Sequence, residues 1–167
     1  KFLNPHLMYI GTLLMIKSNN EIKKNLNEIT SYVLKNHIHI VKYLVVHCSD
    51  TNNEKHLNAL DIHKMHLSFG WDGIGYHKII CRNGEIQNGR PEYWNGAHVY
   101  GKNQESLGVC LIGKDSFSEE QFLSLKKVLL KWKSKYPNAD IYGHRDIINT
   151  KKTCPNFDVK LWCKENL

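Results

Sequence analysis

Two short apolar runs, YLVVHC at 43–48 and SLGVCLI at 106–112, constrain this chain more than any other feature. Neither alternates polar with apolar residues, so each suits a strand covered on both faces. The cover is legible too. From Ser118 to Tyr136, Phe122, Leu125, Val128, Leu129 and Trp132 recur at helical spacing behind a Ser118/Gln121 capping box, and Pro137 stops the helix. Ala59–Phe69 predicts a second helix with Ile62, Met65, His66 and Phe69 on one face and Gly70 as its stop. Tyr76–Arg82 and Glu85–Asn88 read as strands joined by a two-residue Asn83-Gly84 turn. Pro91–Asn103 is irregular, Asp140–Tyr142 a short strand and Val159–Asn166 a closing helix. A further helix is expected over 18–36, capped by Ser18 or Asn19, with Ile22, Leu26, Ile29 and Val33 along one stripe. Strands alternate with helices without strict repetition. The expected fold is mixed α/β: a central mixed sheet of about five to six strands flanked by helices.

A chain of 167 residues suits one domain with a substantial core. Lys and Arg number 23 against 16 Asp and Glu, a formal charge of +7. Such a balance favours anionic partners. Six Lys and two Glu fall within residues 1–42, so most of the excess precedes the first buried strand, and no long basic run follows. That distribution argues against nucleic acid as a partner. Five cysteines cannot all pair within the chain, and no C-x-x-C motif occurs. Cys48, Cys81 and Cys110 lie in apolar runs and read as small core residues, a usage that fits a reducing compartment. No apolar stretch reaches the roughly 18–20 residues of a membrane span. LMYIGTLLMI at 7–16 has the length of a signal-peptide core, yet no small-residue cleavage site follows it. A cytoplasmic location is therefore expected over a secreted one, and the chain is expected to act as a monomer.

Three separated residues carry candidate metal chemistry. His47 ends a buried strand beside a polar loop; it reads either as a ligand or as a core histidine bonded to a carbonyl. His144 follows a short strand in YGHRD, and Cys154 comes ten positions later in KKTCPNFD. Pro155 holds Cys154 in a loop, and two neighbouring lysines favour its thiolate. Two imidazoles and one thiolate suit a catalytic zinc with its fourth position open to water. Spacing alone is weak support, because 97 positions separate the two histidines. His63 and His66, three apart on a helix, read as one partly buried and one solvated residue. His77 should point away from Tyr76 and is not expected to bind metal. Trp71 and Trp94 suit either stacking on a ligand or packing.

Four blocks, VVHCSDT at 45–51, GWDGIGYHKIICRNGEIQNGR at 70–90, GAHVYGKNQESLGVCLIG at 96–113 and GHRD through KKTCPNFD at 143–158, together resemble the amidase-2 family. That family comprises N-acetylmuramoyl-L-alanine amidases, among them the phage lysozyme-type amidases, and the peptidoglycan recognition proteins. The phage amidases look most similar, because Lys152 stands two residues before Cys154. The likeness covers about residues 43–162. It implies a catalytic domain over 41–167 and leaves 1–40 as a partly helical N-terminal extension.

The resemblance implies one zinc ion held by His47, His144 and Cys154, with Tyr76 and Lys152 as catalytic residues. It implies substrate contacts at His98, Asn103 and Arg90. The activity it implies is cleavage of the amide between N-acetylmuramic acid and the L-alanine of the peptidoglycan stem peptide. Two alternatives stay open here: a non-catalytic peptidoglycan-binding module, and an amidase-like protein that restrains a partner such as an RNA polymerase. Cys154, which binding-only relatives typically lack, favours the enzyme. Ten positions from His144 to Cys154 is slightly longer than in the phage relatives. The insertion near Asn149–Lys151 makes Lys151 a substitute candidate for the role of Lys152.

Overall fold

The computed structural model describes residues 40–147 and 151–167. The expected helix over 18–36, the apolar run at 7–16 and all of the extension except its last residue, Ile40, lie outside the described residues. Five strands form one sheet in the order β3-β2-β4-β1-β5. They are β1 (Tyr43–Cys48), β2 (Lys78–Ile80), β3 (Ile86–Asn88), β4 (Ser106–Leu111) and β5 (Asp140–Gly143). β1 lies between β4 and β5 and runs parallel to both, β2 runs parallel to β4, and only β2 with β3 is antiparallel. The mixed sheet expected from sequence is thus present, with five strands.

Both predicted apolar runs are central strands, and burial on both faces explains their composition. Leu44, Val46, Leu107, Val109 and Leu111 pack on one face against α2 (Glu119–Lys135) and α4 (Val159–Asn166) through Leu125, Val128, Leu129, Trp132 and Val159. Ile79, Cys110 and Ile112 pack on the other face against Ile62 of α1 (Ala59–Ser68). A fourth helix, α3 (His144–Ile147), is a single turn after β5. Cys48, Cys81 and Cys110 are all buried, as expected. The α2 capping box forms as predicted. Its Gln121 side chain is wholly buried and also donates to the carbonyls of Ile80 and Ile112, tying the helix start to two strand ends. No helix among the described residues is long and apolar enough to cross a membrane.

Three local expectations are corrected. The β2–β3 turn is not a two-residue Asn83-Gly84 turn. Cys81 N–H donates to Glu85, Gly84 N–H donates to Cys81, and only Gly84 has positive φ, at 82°. That is a three-residue loop with a left-handed glycine, since the two-residue form needs positive φ at Asn83 as well. Phe69 is not on the buried face of α1 but caps its C-terminus and is 59% exposed. His66 and His63 are both structural: His66 is buried and accepts from Gly75 N–H, and His63 accepts from Ile74 N–H. The two rings hold the glycine-rich turn at 70–75 whose backbone donors would otherwise lack partners.

Candidate metal centre

Parallel pairing closes the gap between two distant histidines. Val46 of β1 sits opposite Gly143 of β5, so the next residues, His47 and His144, emerge side by side at the carboxyl ends of adjacent parallel strands. Their ring centroids are 4.7 Å apart. Open α/β sheets gather ligands at this end. Cys154 is brought to the same end by its loop: Arg145 N–H donates to the Cys154 carbonyl, and Cys48 N–H donates to Cys154 Sγ at 3.3 Å. Asn156 takes φ 68°, a left-handed conformation asparagine tolerates, and its Nδ2 donates to the Lys114 carbonyl. Gly143 allows this loop to approach, because a Cβ there would meet Pro155 Cδ at 3.0 Å.

One ligand atom from each of His47, His144 and Cys154 lies within 4.8 Å of the other two. Cys154 Sγ is 3.9 Å from His47 Nδ1. A tetrahedral zinc with bonds of about 2.0–2.3 Å separates its ligand atoms by roughly 3.3–3.7 Å, so the trio needs only a small contraction. The electrostatics agree with the donor set. Burial pushes the His47 imidazole well below its ordinary value, and His98, His144 and Lys152 push the same way. Burial, then Lys152, lowers His144 to about 4. Both rings are neutral near pH 7 and have a lone pair to give. The Cys154 thiol is held up by its hydrogen bond with the Cys48 side chain and by burial in the metal-free chain. A coordinated cation reverses that preference and removes the proton. Among the described residues, these three are the group that fits a metal ion.

The remaining candidates surround this point. A cleft of about 510 Å³ is lined by the three residues together with Tyr76, His98, Lys151 and Lys152. An adjoining groove of about 640 Å³ shares His98, His144 and Lys152 and adds Trp71, Arg90, Tyr100 and Asn103. The Tyr76 ring lies 5.1 Å from that of His47. Burial, then the thiols of Cys110, Cys154 and Cys48, hold its hydroxyl protonated. Lys152 lines the cleft, and its charge is felt by both histidines.

The three proposed substrate contacts are less free than their sequence positions suggested. Arg90 donates to the carbonyls of Ile74 and Asn95. Asn103 Oδ1 accepts from His98 N–H and Val99 N–H. Both therefore shape the groove wall as well as line it. His98 is 8% exposed, and its Nδ1 lies 3.0 Å from His47 Nε2. His77 is buried and spends its ring on the Trp94 carbonyl and the Gly108 N–H, consistent with no metal role. Sequence reasoning missed the His47–His98 contact and the placement of Cys48 beside Cys154. The only available signal for the second was adjacency, since Cys48 follows His47 directly.

Residues 37–157 match the N-acetylmuramoyl-L-alanine amidase (Amidase_2) family. The endolysin of Escherichia phage T7 is 35% identical over 131 residues, 74% of this chain and 85% of that protein. Among solved structures, the N-acetylmuramoyl-L-alanine amidase LysC from Clostridium intestinale is 29% identical with a TM-score of 0.68, covering 75% of this chain and 85% of that one. Bumblebee PGRP-SA is 26% identical with a TM-score of 0.66, covering 77% and 83%.

Proposed function

The chain belongs to the N-acetylmuramoyl-L-alanine amidase family, and from that premise we propose that residues 41–167 form a zinc-dependent domain. It hydrolyses the amide between N-acetylmuramic acid and the L-alanine of the peptidoglycan stem peptide. The convergence of His47, His144 and Cys154 at one end of parallel strands supports this reading. Two neutral imidazoles and a thiol at an open cleft are a zinc set that leaves one position open. A zinc ion held there supplies Lewis-acid activation of water and of the scissile carbonyl at neutral pH.

The protein's own groups do the rest. The ammonium of Lys152, on the cleft wall, would stabilise the negative charge that develops on the lactyl carbonyl oxygen as its carbon becomes tetrahedral. The Tyr76 hydroxyl, which keeps its proton, is a neutral donor for that oxygen or for the attacking water. The groove bounded by Trp71 and Tyr100 takes the flanking sugar or peptide. The C–N bond then breaks, and the alanine nitrogen leaves as a protonated amine. His98, Arg90 and Asn103 form the groove wall against which the substrate is held.

The test is product analysis on a purified muropeptide. The wild-type chain is expected to release an intact stem peptide with a free L-alanine amine and a lactyl carboxylate on the sugar. Cys154→Ser is expected to fold, to lose zinc and to release neither. Cleavage at a glycosidic bond, or a zinc-loaded Cys154→Ser chain with near-normal turnover, contradicts the assignment.

A further inference from the structure

We propose that His98 is a positioning residue that fixes the tautomer of His47 by accepting a hydrogen bond from its Nε2–H. The proposal rests on the zinc reading above and goes beyond it. His47 presents its two nitrogens to different neighbours: Nδ1 faces Cys154 Sγ at 3.9 Å, and Nε2 lies 3.0 Å from His98 Nδ1 in a buried contact. A nitrogen that gives its lone pair to a cation carries no proton, so the proton of the neutral His47 ring sits on Nε2. His98 Nδ1 must then be the acceptor, and the proton of His98 sits on its own Nε2. The opposite arrangement, with His98 donating, puts the His47 proton on Nδ1 and closes that atom to a cation.

Two further observations mark the His98 ring as a fixed partner of His47. His98 Nε2 is buried and has no hydrogen-bond partner, in contrast to His77, whose two nitrogens are both engaged. Buried polar atoms are rarely left so, and an orphan in a well-packed site calls for a task elsewhere on the same group. Here the task is the other nitrogen. The socket is also built for one ring position. A Cβ on Gly108 would lie 2.8 Å from three atoms of the His98 ring, and one on Gly96 would overlap the ring as well. Asn103 Oδ1 clamps the His98 and Val99 N–H groups at 2.8 and 2.9 Å, and Ala97 N–H is tied to the Gly75 carbonyl. Metal-bound histidines usually donate their second N–H to a carboxylate, carbonyl or water. A neutral imidazole in that place orients the ligand without adding negative charge to the cleft.

The test reads zinc affinity and ring tautomers rather than turnover. Chelator competition on His98→Leu is expected to show roughly 10–100-fold weaker zinc binding than wild type. His98→Asn, whose Oδ1 can stand where Nδ1 stood, is expected to recover most of that loss; far-UV circular dichroism checks that both variants fold. A measurement without any variant runs alongside. Long-range proton–nitrogen spectra of the zinc-loaded wild-type chain are expected to show His47 and His98 both protonated at Nε2. A folded His98→Leu chain with wild-type zinc affinity, or a His98 ring protonated at Nδ1, overturns the proposal. A wild-type chain that takes up no zinc fails the zinc reading itself, and this proposal with it.

Discussion

Gly108 offers a way to disturb the centre without touching a ligand. It lies within β4, where its N–H is bonded to the His77 ring and its carbonyl to the His77 N–H. In Gly108→Ala, the new Cβ falls 2.8 Å from Cγ, Cδ2 and Cε1 of His98, nearer than side-chain carbons approach one another. The imidazole must give way, and Gly96 closes its other side. Overpacking of this kind costs about 1–3 kcal/mol. At a midrange cost of about 2 kcal/mol, a chain of this length loses roughly 4–8 °C in Tm. The displaced ring also releases His47 Nε2, so zinc affinity should fall about tenfold or more. Gly101→Ala is the control. Its φ of 75° makes alanine strained, at about 1–2 kcal/mol, but nothing lies within 4 Å of the added methyl. Thermal unfolding and chelator competition are measured on both. Only Gly108→Ala should weaken zinc binding. If it lowers Tm while zinc affinity stays at the wild-type value, the link through His98 is wrong.

Other outcomes follow from the same geometry. Lys152→Ala should lower kcat about 100-fold with one zinc still bound, the scale of losing one donor to a developing oxyanion; an unchanged kcat transfers the role elsewhere, with Lys151 next in line. The metal-free chain should be acid-sensitive. His144 stays neutral down to about 4 when folded but titrates near 6.5 when unfolded. Above about pH 6.5 the ring is neutral in both states; as pH falls toward 4 the unfolded chain takes up a proton that the folded chain does not, and stability drops by up to about 3 kcal/mol. His47 and His98 are lowered in the same direction and add to the slope. Urea midpoints of the metal-free chain that are level between pH 7 and pH 4.5 contradict this.

Local patterns in the sequence carried most of the sheet. β1, α2 and α4 match their expected spans closely, because uninterrupted β-branched runs and a capped 3.6-residue stripe are set by neighbours in the chain. The β2–β3 turn was misread because Asn-Gly pairs serve both two-residue turns and left-handed glycine bulges, and only the pairing register separates them. The metal trio was identified by resemblance rather than spacing. Its convergence comes from β1 and β5 pairing in parallel, a contact concealed by the 97-position separation of His47 and His144. His98 shows the limit of position-based reading. It lines a groove, but the direction of its ring depends on Gly96, Asn103 and Gly108, whose packing around it no local pattern announces. The roles of His63 and His66 were hidden for the same reason, since their backbone partners lie beyond the helix that bears them.

The most direct measurement is metal content paired with cleavage of a muramoyl-peptide before and after chelation. The account predicts about one zinc per active chain, loss of both zinc and L-alanine release on chelation, and recovery of both when zinc is returned. A chain stripped of metal that still cleaves the amide at its original rate contradicts it.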